Sequence, residues 1–202
     1  MASKIKVDQI QTIDGSGTIA LQNQLSGMTT ASLPALGSAQ MPTGSVLQVV
    51  SVTKTDTFTY SASSISYADV TGLAATITPK FSSSKILVQV NINFSNNKRY
   101  SAAILLRGST QIGGGTAVGN RPSVSVSNGT NQNETNEEYI MRNSSFSFLD
   151  SPSTTSATTY KVRVGNTHEA SSVTYVNRSQ NDSNATYGHR GISTITLTEV
   201  SA

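Results

Sequence analysis

Residues 85–94, KILVQVNINF, have the clearest β-strand pattern in the chain. The apolar residues of this stretch recur at every second position, namely Ile86, Val88, Val90, Ile92 and Phe94. Side chains that alternate in this way fall on one face of a β-strand, so the pattern predicts a strand with one side in a hydrophobic core. We expect these five side chains to point into that core.

Further strand signals lie on both sides of this stretch. Short runs rich in Val, Ile, Thr, Tyr and Phe occupy residues 46–53, 57–60, 73–78, 102–106, 111–112, 123–126, 139–141, 145–149, 159–164, 173–176 and 192–200. Segments rich in Asn, Gly and Ser separate them, and the turn Arg107-Gly108-Ser109 indicates a hairpin. Many short strands with regular turn signals predict an all-β fold. We expect an antiparallel β-sandwich or jelly roll over residues 45–202.

Residues 1–44 have a different character and predict an extended N-terminal arm and linker. Two short β-type runs flank the turn DGSG at residues 14–17, and residues 22–44 show neither helical nor strand periodicity. An isolated hairpin is marginal in water, so the apolar side chains of this segment need a surface to pack against. We predict that these side chains form an element that attaches the protein to a partner. The alternative is that the segment is only a tether. The side chains are Ile5, Val7, Ile10, Ile13, Ile19 and Leu21.

The composition excludes several classes of protein. Only 12% of the 202 residues are charged, against about 25% in a typical soluble domain, whereas Ser, Thr and Asn number 32, 26 and 15. Cysteine is absent, which excludes disulfide scaffolds and cysteine-based metal sites. We expect no membrane insertion, because no run of about 18 apolar residues occurs. We also expect no secretory signal and no nucleic-acid binding, because the start is polar and the surplus of three positive charges is scattered.

The acid–base residues do not form a recognisable catalytic pattern. His168 and His189 are the only imidazole bases, and both fall in polar turns without a nucleophile elbow. Glu137 and Glu138 are adjacent, which on a strand would point them to opposite faces, and we expect a solvated loop edge there. The triplet Asp182-Ser183-Asn184 begins like a calcium loop but lacks the downstream glycine and glutamate. We therefore predict no enzymatic activity, no metal site and no cofactor.

Aromatic residues beside arginines are the remaining candidates for ligand contact. Tyr100 follows Arg99, and Tyr187 lies three residues before Arg190. Such pairs on loops could stack against and hydrogen-bond a sugar, so these four residues are candidate glycan contacts. The alternative is that the tyrosines sit half-buried at strand ends.

Several stretches resemble virion structural proteins of tailed bacteriophages, particularly marine ones. The opening KIKVDQIQTIDGSGTIALQNQLSG resembles the N-terminal segment of such proteins, including tail-fibre and appendage proteins. The stretches SKILVQVNINFS, ILLRGSTQI, SFLDSPSTTSATTYKVRV and GISTITLTEV are similar to their C-terminal β-domains. The resemblance implies a non-enzymatic virion protein with a jelly-roll head that assembles as a homotrimer.

The resemblance also implies where the chain works and what it contacts. The arm would join other virion proteins, and the protein, made in the host cytoplasm, would reside on the virion tail or capsid surface. No extended repeat lies between arm and head, which is unlike a long fibre. Two alternatives therefore stay open beside a tail fibre or spike: a capsid decoration protein, and a module that recognises host-surface glycans.

Overall fold

The computed structural model describes residues 37–129, 137–168 and 171–202. These residues form two antiparallel sheets packed as a β-sandwich, which confirms the predicted fold class. The first sheet comprises β1 (Val46–Lys54), β2 (Phe58–Ala62), β4 (Lys85–Asn96), β8 (Arg142–Asp150), β10 (Ser172–Val176) and β11 (Ser193–Val200). The second comprises β3 (Ser66–Ile77), β5 (Ser101–Arg107), β6 (Thr110–Ile112), β7 (Val126–Asn128) and β9 (Thr158–Asn166).

Strands distant in sequence pair within each sheet. The first sheet runs β1-β11-β4-β10-β2, with β8 on the other edge of β4. The second runs β3-β9-β5-β6, with β7 also paired to β5. The last strand thus lies between the first strand and the central strand β4, so that the two ends of the described domain are adjacent.

The hydrophobic core lies between the two sheets and uses the predicted face of β4. Ile86, Val88, Val90, Ile92 and Phe94 are all buried, which confirms the sequence prediction. They meet Leu73 and Ile77 of β3 and Tyr160 of β9, among the largest fully buried side chains of the described residues. Strand β5 is buried along most of its length, from Ser101 to Leu106. These aliphatic and aromatic contacts hold the sandwich together.

The compact unit that contains the sandwich begins at Ser38. A short 3₁₀ turn at Ser38–Gln40 precedes β1. The N–H of Gly44 donates to the carbonyl of Ser201 at 2.8 Å, and the N–H of Ser201 donates to Ser45 at 2.9 Å. These bonds join the entry into β1 to the C-terminal end of β11. The predicted arm, residues 1–44, lies for the most part outside the described residues.

Three sequence predictions differ from the observed elements. Strand β3 begins at Ser66, seven residues before the predicted run. The prediction missed its first half because that half has few apolar side chains. Strand β7 starts at Val126, where the predicted run 123–126 ends. The predicted strand at residues 139–141 is wrong: Glu137–Tyr139 is a 3₁₀ turn, closed by the N–H of Ile140 donating to the carbonyl of Glu137. Among the described residues, no helix has the length and apolar character needed to cross a membrane.

Candidate functional site

The outer side of the first sheet presents an uncharged face across four strands. Over residues 87–91 of β4, the sheet reads β1-β11-β4-β8, and the register places outward side chains in rows. The rows are Val49–Thr198–Leu87–Leu149, Ser51–Thr196–Gln89–Ser147 and Thr53–Thr194–Asn91–Ser145. We call these three rows the ladder face. None of its side chains is ionisable.

Hydroxyl and amide groups dominate two of the three rows. The hydroxyl oxygens of Ser51 and Thr196 are 2.8 Å apart in the middle row. Beyond the last row, the side-chain amide of Asn143 donates to Asn91 Oδ1 at 2.8 Å and to Asn93 Oδ1 at 3.1 Å. A shallow trough of about 490 Å³ runs between the side chains of β11, β4 and β8. Because a hydroxyl both donates and accepts, this surface keeps hydrogen-bonding capacity directed outward.

One row of the ladder face is apolar at three of its four positions, the fourth being Thr198. Val49 is 57% exposed and Leu149 is 56% exposed, with Leu87 between their strands. Charge occurs only beyond the rows: Lys85 Nζ donates to Ser151 Oγ at 2.8 Å, and Arg142 pairs with Glu137 at 2.8 Å. The ladder face therefore combines an apolar strip with a field of neutral polar groups.

The outer side of the second sheet has a different chemistry. Asp69 pairs there with Lys161 at 2.7 Å and with Arg163 at 3.0 Å. The same side also carries a hydroxyl pair, Thr76 and Thr159, whose oxygens are 2.7 Å apart. Ionised side chains suit a surface that stays in water, because covering them requires desolvation. The ladder face can be covered by a partner without that cost.

A second surface feature is a groove next to Tyr100, at one end of the second sheet. It measures about 450 Å³, and we call it the Tyr100 groove; its lining comprises Arg99, Tyr100, Ser101, Arg121, Pro122, Val124, Ser127, Asn128, Gly129 and Thr167. The ring of Tyr100 lies 5.1 Å from that of His168, centroid to centroid. The N–H of Thr167 donates to the carbonyl of Tyr100 at 3.1 Å. These contacts fix the aromatic residue at the start of β5.

Two guanidinium groups lie in the lining of this groove. Arg121 closes a tight loop, in which the N–H of Arg121 donates to the carbonyl of Val118 at 3.1 Å and the reciprocal bond measures 3.3 Å. Its side-chain Nε also donates to the carbonyl of Val118, at 3.3 Å. Arg99 is exposed. Sequence reasoning missed Arg121, because only the pairing of β7 with β5 brings its loop beside Tyr100.

The structure separates the four predicted glycan contacts into two places. Arg99 and Tyr100 share the Tyr100 groove, whereas Tyr187 and Arg190 lie in the loop between β10 and β11. Tyr187 packs edge-on against Tyr139, with centroids 5.1 Å apart. Arg190 pairs with Asp182 at 2.6 Å. The charge of Arg190 is therefore already partnered, whereas no carboxylate among the described residues pairs with Arg99 or Arg121.

The candidate acid–base residues take structural positions. His168 is exposed beside Tyr100, and His189 is exposed in its loop. The interpretation of Glu137 as a solvated loop edge is wrong, because its carboxylate is buried and bound by Arg142. Both carboxylate oxygens of Asp182 are engaged, one by Arg178 and one by Arg190, each at 2.6 Å. Over the described ranges, no cluster of three or more His, Cys, Asp or Glu side chains could hold a metal ion.

The predicted attachment residues lie outside the described part of the chain. They are Ile5, Val7, Ile10, Ile13, Ile19 and Leu21. Their role stays a prediction.

Comparison with known proteins gives only a weak structural likeness. No protein-family model matches the chain, and no curated protein matches it. Among solved structures, the chain is similar to one in "Structure of infectious bursal disease virus Gx strain", at a TM-score of 0.39 and 16% identity. The match covers 84% of this chain and 42% of that chain, so this chain spans less than half of its length. At this TM-score the likeness defines neither a shared activity nor a shared assembly.

Proposed function

We propose that the protein is a non-enzymatic structural component of a tailed-bacteriophage virion, working as a homotrimer in a tail fibre, spike or other appendage. The single observation that carries an assembly role is the ladder face, a charge-free surface that crosses four strands. The placement on a phage virion, and the number three, rest on the resemblance of the sequence to phage appendage proteins.

The chemistry of the ladder face suits contact with other copies of the same chain. A neutral surface does not repel itself, and hydroxyl and amide groups can pair with one another in either direction. Four strands spaced about 4.8 Å apart and three rows about 7 Å apart make a footprint of roughly 20 by 20 Å. This area, about 400 Å² per copy, is below the roughly 800 Å² per partner of a standard-size interface, so the ladder face would form the centre of a larger contact. Such a contact would cover the apolar row while desolvating no ion.

In this proposal, three copies turn their ladder faces toward a shared threefold axis. Val49 and Leu149, both more than half exposed, would then be covered by neighbouring copies. Burying the exposed part of each contributes about 1 kcal/mol. The outer side of the second sheet, with its Asp69–Lys161 and Asp69–Arg163 ion pairs, would remain in water. The contrast between the two sheets supports this orientation.

The arm, residues 1–44, would attach the trimer to other virion proteins. Its apolar stripe would dock by strand addition or by lying in an apolar groove of the partner. The sandwich would then project from the particle.

Capsid decoration is the other virion role that this surface would serve. The number of copies per purified particle, measured by quantitative mass spectrometry, separates the two roles. We expect a few to about eighteen copies for a tail appendage, and hundreds for decoration of a capsid lattice, from the symmetry of each. Absence of the protein from purified particles would contradict both.

A further inference from the structure

We propose that the Tyr100 groove binds an anionic oligosaccharide, one whose sugars carry carboxylate or sulfate groups. The inference goes beyond the structural role and does not depend on the trimer. It rests on an exposed aromatic ring, two guanidinium groups and neutral hydrogen-bonding groups in one groove of about 450 Å³.

The aromatic ring supplies a platform of fixed position. Tyr100 is 44% exposed, although it lies at the start of a strand that is otherwise buried. The backbone bond from Thr167 and the ring of His168 hold it from one side, so that ordering the ring on binding costs little entropy. A flat, half-exposed ring with a hydroxyl group offers an apolar surface and a polar tip to a sugar.

The charges around the ring determine the class of sugar. Arg99 and Arg121 both line the groove, and its described lining contains no Asp or Glu. A guanidinium group binds a carboxylate or sulfate through two parallel hydrogen bonds, which makes arginine the preferred partner of such groups. Neutral sugars would leave both charges without a partner in the complex. An anionic sugar would complement them.

The remaining lining favours a saccharide over a nucleic acid. Ser127 and Thr167 offer hydroxyl groups, and Pro122 and Val124 offer a small apolar area. Nucleic-acid sites combine a longer basic stripe with several stacking rings. Among the described residues of the lining there is one aromatic ring, and two arginines flank it. The groove therefore matches a short segment of an acidic polysaccharide.

The groove remains open in the proposed trimer. It is built on β5, β7 and the loops beside them, which belong to the second sheet. The ladder face belongs to the first sheet and shares no residue with it. Loss of ligand binding and loss of assembly can therefore be measured separately.

Isothermal titration calorimetry of the full-length protein tests the proposal with three probes of equal length: an oligogalacturonate, a sulfated oligosaccharide and a neutral galacto-oligosaccharide. We expect binding of at least one anionic probe and a tenfold weaker affinity, or none, for the neutral one. Arg99→Gln and Arg121→Gln should each weaken the anionic probe about tenfold, which is about 1.4 kcal/mol. Arg163→Gln is the matched control, since that arginine is paired with Asp69 on the outer side of the second sheet and does not line the groove, and it should bind within twofold of the parent.

The outcomes separate the proposal from its rivals. The carboxylated and sulfated probes distinguish the two sources of negative charge, and preference for either supports the proposal. Equal binding of the neutral probe, unchanged affinity in both groove variants, or no binding of any probe would overturn it. Tighter binding of a single-stranded DNA oligonucleotide, lost in the same variants, would also overturn it. All variants should keep the oligomeric mass of the parent, so that a negative result reports on the groove and not on assembly.

Discussion

The hydroxyl oxygen of Ser51 lies 2.8 Å from that of Thr196, in the middle row of the ladder face. A second hydroxyl pair, Thr76 and Thr159, has nearly the same separation, 2.7 Å, on the outer side of the other sheet. The two pairs join neighbouring antiparallel strands in the same way but differ in surroundings. Ser51 and Thr196 lie among neutral groups, whereas the sheet of Thr159 carries the ion pairs of Asp69. They are matched positions for testing which face makes a contact.

The first prediction concerns the core face of β4. Val90 is 2% exposed and pairs with Ile195 and Phe146 on the two neighbouring strands. Val90→Asp should lower the free energy of unfolding by about 4 kcal/mol, because it buries a charge without a partner. Thr159→Asp, at an exposed side chain on the outer side of the second sheet, should cost less than about 1 kcal/mol. Urea unfolding measures the free energy of unfolding of both variants. In a thermal melt, a Val90→Asp variant whose melting temperature lies within about one degree of the parent's would show that this face is not in the core.

The second prediction concerns the buried carboxylate of Asp150. Arg107 NH1 donates to both of its oxygens, at 3.0 and 2.9 Å, and the hydroxyl of Tyr160 donates at 2.7 Å. Burial, together with this carboxylate, raises the pKa of Tyr160, so its hydroxyl remains a donor. Asp150→Asn should lower the free energy of unfolding by about 3 kcal/mol. Asp69→Asn removes two ion pairs, to Lys161 and Arg163, from a half-exposed carboxylate and should cost no more than about 1 kcal/mol. Equal costs for the two variants would contradict this assignment.

The third prediction concerns pH and the buried carboxylate of Glu199. Burial by itself raises the pKa of Glu199. Hydrogen bonds to its carboxylate lower the pKa by a larger amount, and they include those from Gln48 Nε2 at 2.5 Å and from the N–H of Lys80 at 2.7 Å. The net pKa lies below its ordinary value, so the folded state favours the ionised form. This stabilisation is present above the unfolded pKa of about 4.3 and is lost as the pH falls through the folded pKa.

Glu199→Gln should therefore destabilise the protein most at neutral pH. The difference in unfolding free energy between parent and variant should shrink as the pH falls from about 5 toward 3. Chemical unfolding at a series of pH values measures it, and Glu138→Gln, in the 3₁₀ turn, is a control at a partly exposed acid. A difference that grows on acidification would mean that the folded protein does not favour the ionised carboxylate.

The fourth prediction concerns the arm. The compact unit begins at Ser38, so a chain that lacks residues 2–37 should fold and keep the melting temperature of the sandwich within a few degrees. It should no longer be incorporated into particles, because the apolar stripe that we propose docks on the partner is gone. Incorporation of the truncated protein at the parental level would place attachment elsewhere.

Much of the sandwich could be predicted from local sequence. The strict alternation in β4 identified its core face, and the glycine in Arg107-Gly108-Ser109 marked the β5–β6 hairpin, where Gly108 adopts a φ of 59°. The start of β3 could not be predicted in this way. Its first residues are held by cross-strand bonds to β9, with Tyr67 opposite Gly165, and not by an apolar pattern of their own.

The errors in loops have a similar cause. The run at residues 139–141 has strand-forming residues, but residues 137–139 form a 3₁₀ turn instead. The side chain of Glu137, at the start of that turn, pairs with Arg142. Neither a glutamate nor an arginine in the sequence indicates by itself that these two side chains pair. An ion pair between side chains five residues apart, together with the turn, overrides the strand propensity of so short a segment.

The candidate surfaces were only partly predictable. Arg99 and Tyr100 are adjacent in sequence, so their pairing was visible, whereas Arg121 joins them through the fold. The ladder face depends on register between strands far apart, such as Ser51 opposite Thr196. Single-sequence patterning indicates which side chains point outward on one strand, but not which outward side chains share a row.

The mass of the protein in solution, measured by light scattering for the parent and two arginine variants, tests whether the ladder face is the subunit contact. The parent should have about three times the chain mass of 21.2 kDa. Thr196→Arg should reduce the mass to that of one chain, because it would bring like charges together and force their desolvation at the shared axis. Thr159→Arg, at the matched hydroxyl pair of the other sheet, should keep the mass of the parent. A monomeric parent, or a Thr196→Arg variant that keeps the trimer mass, would contradict the assignment of the ladder face as the subunit contact.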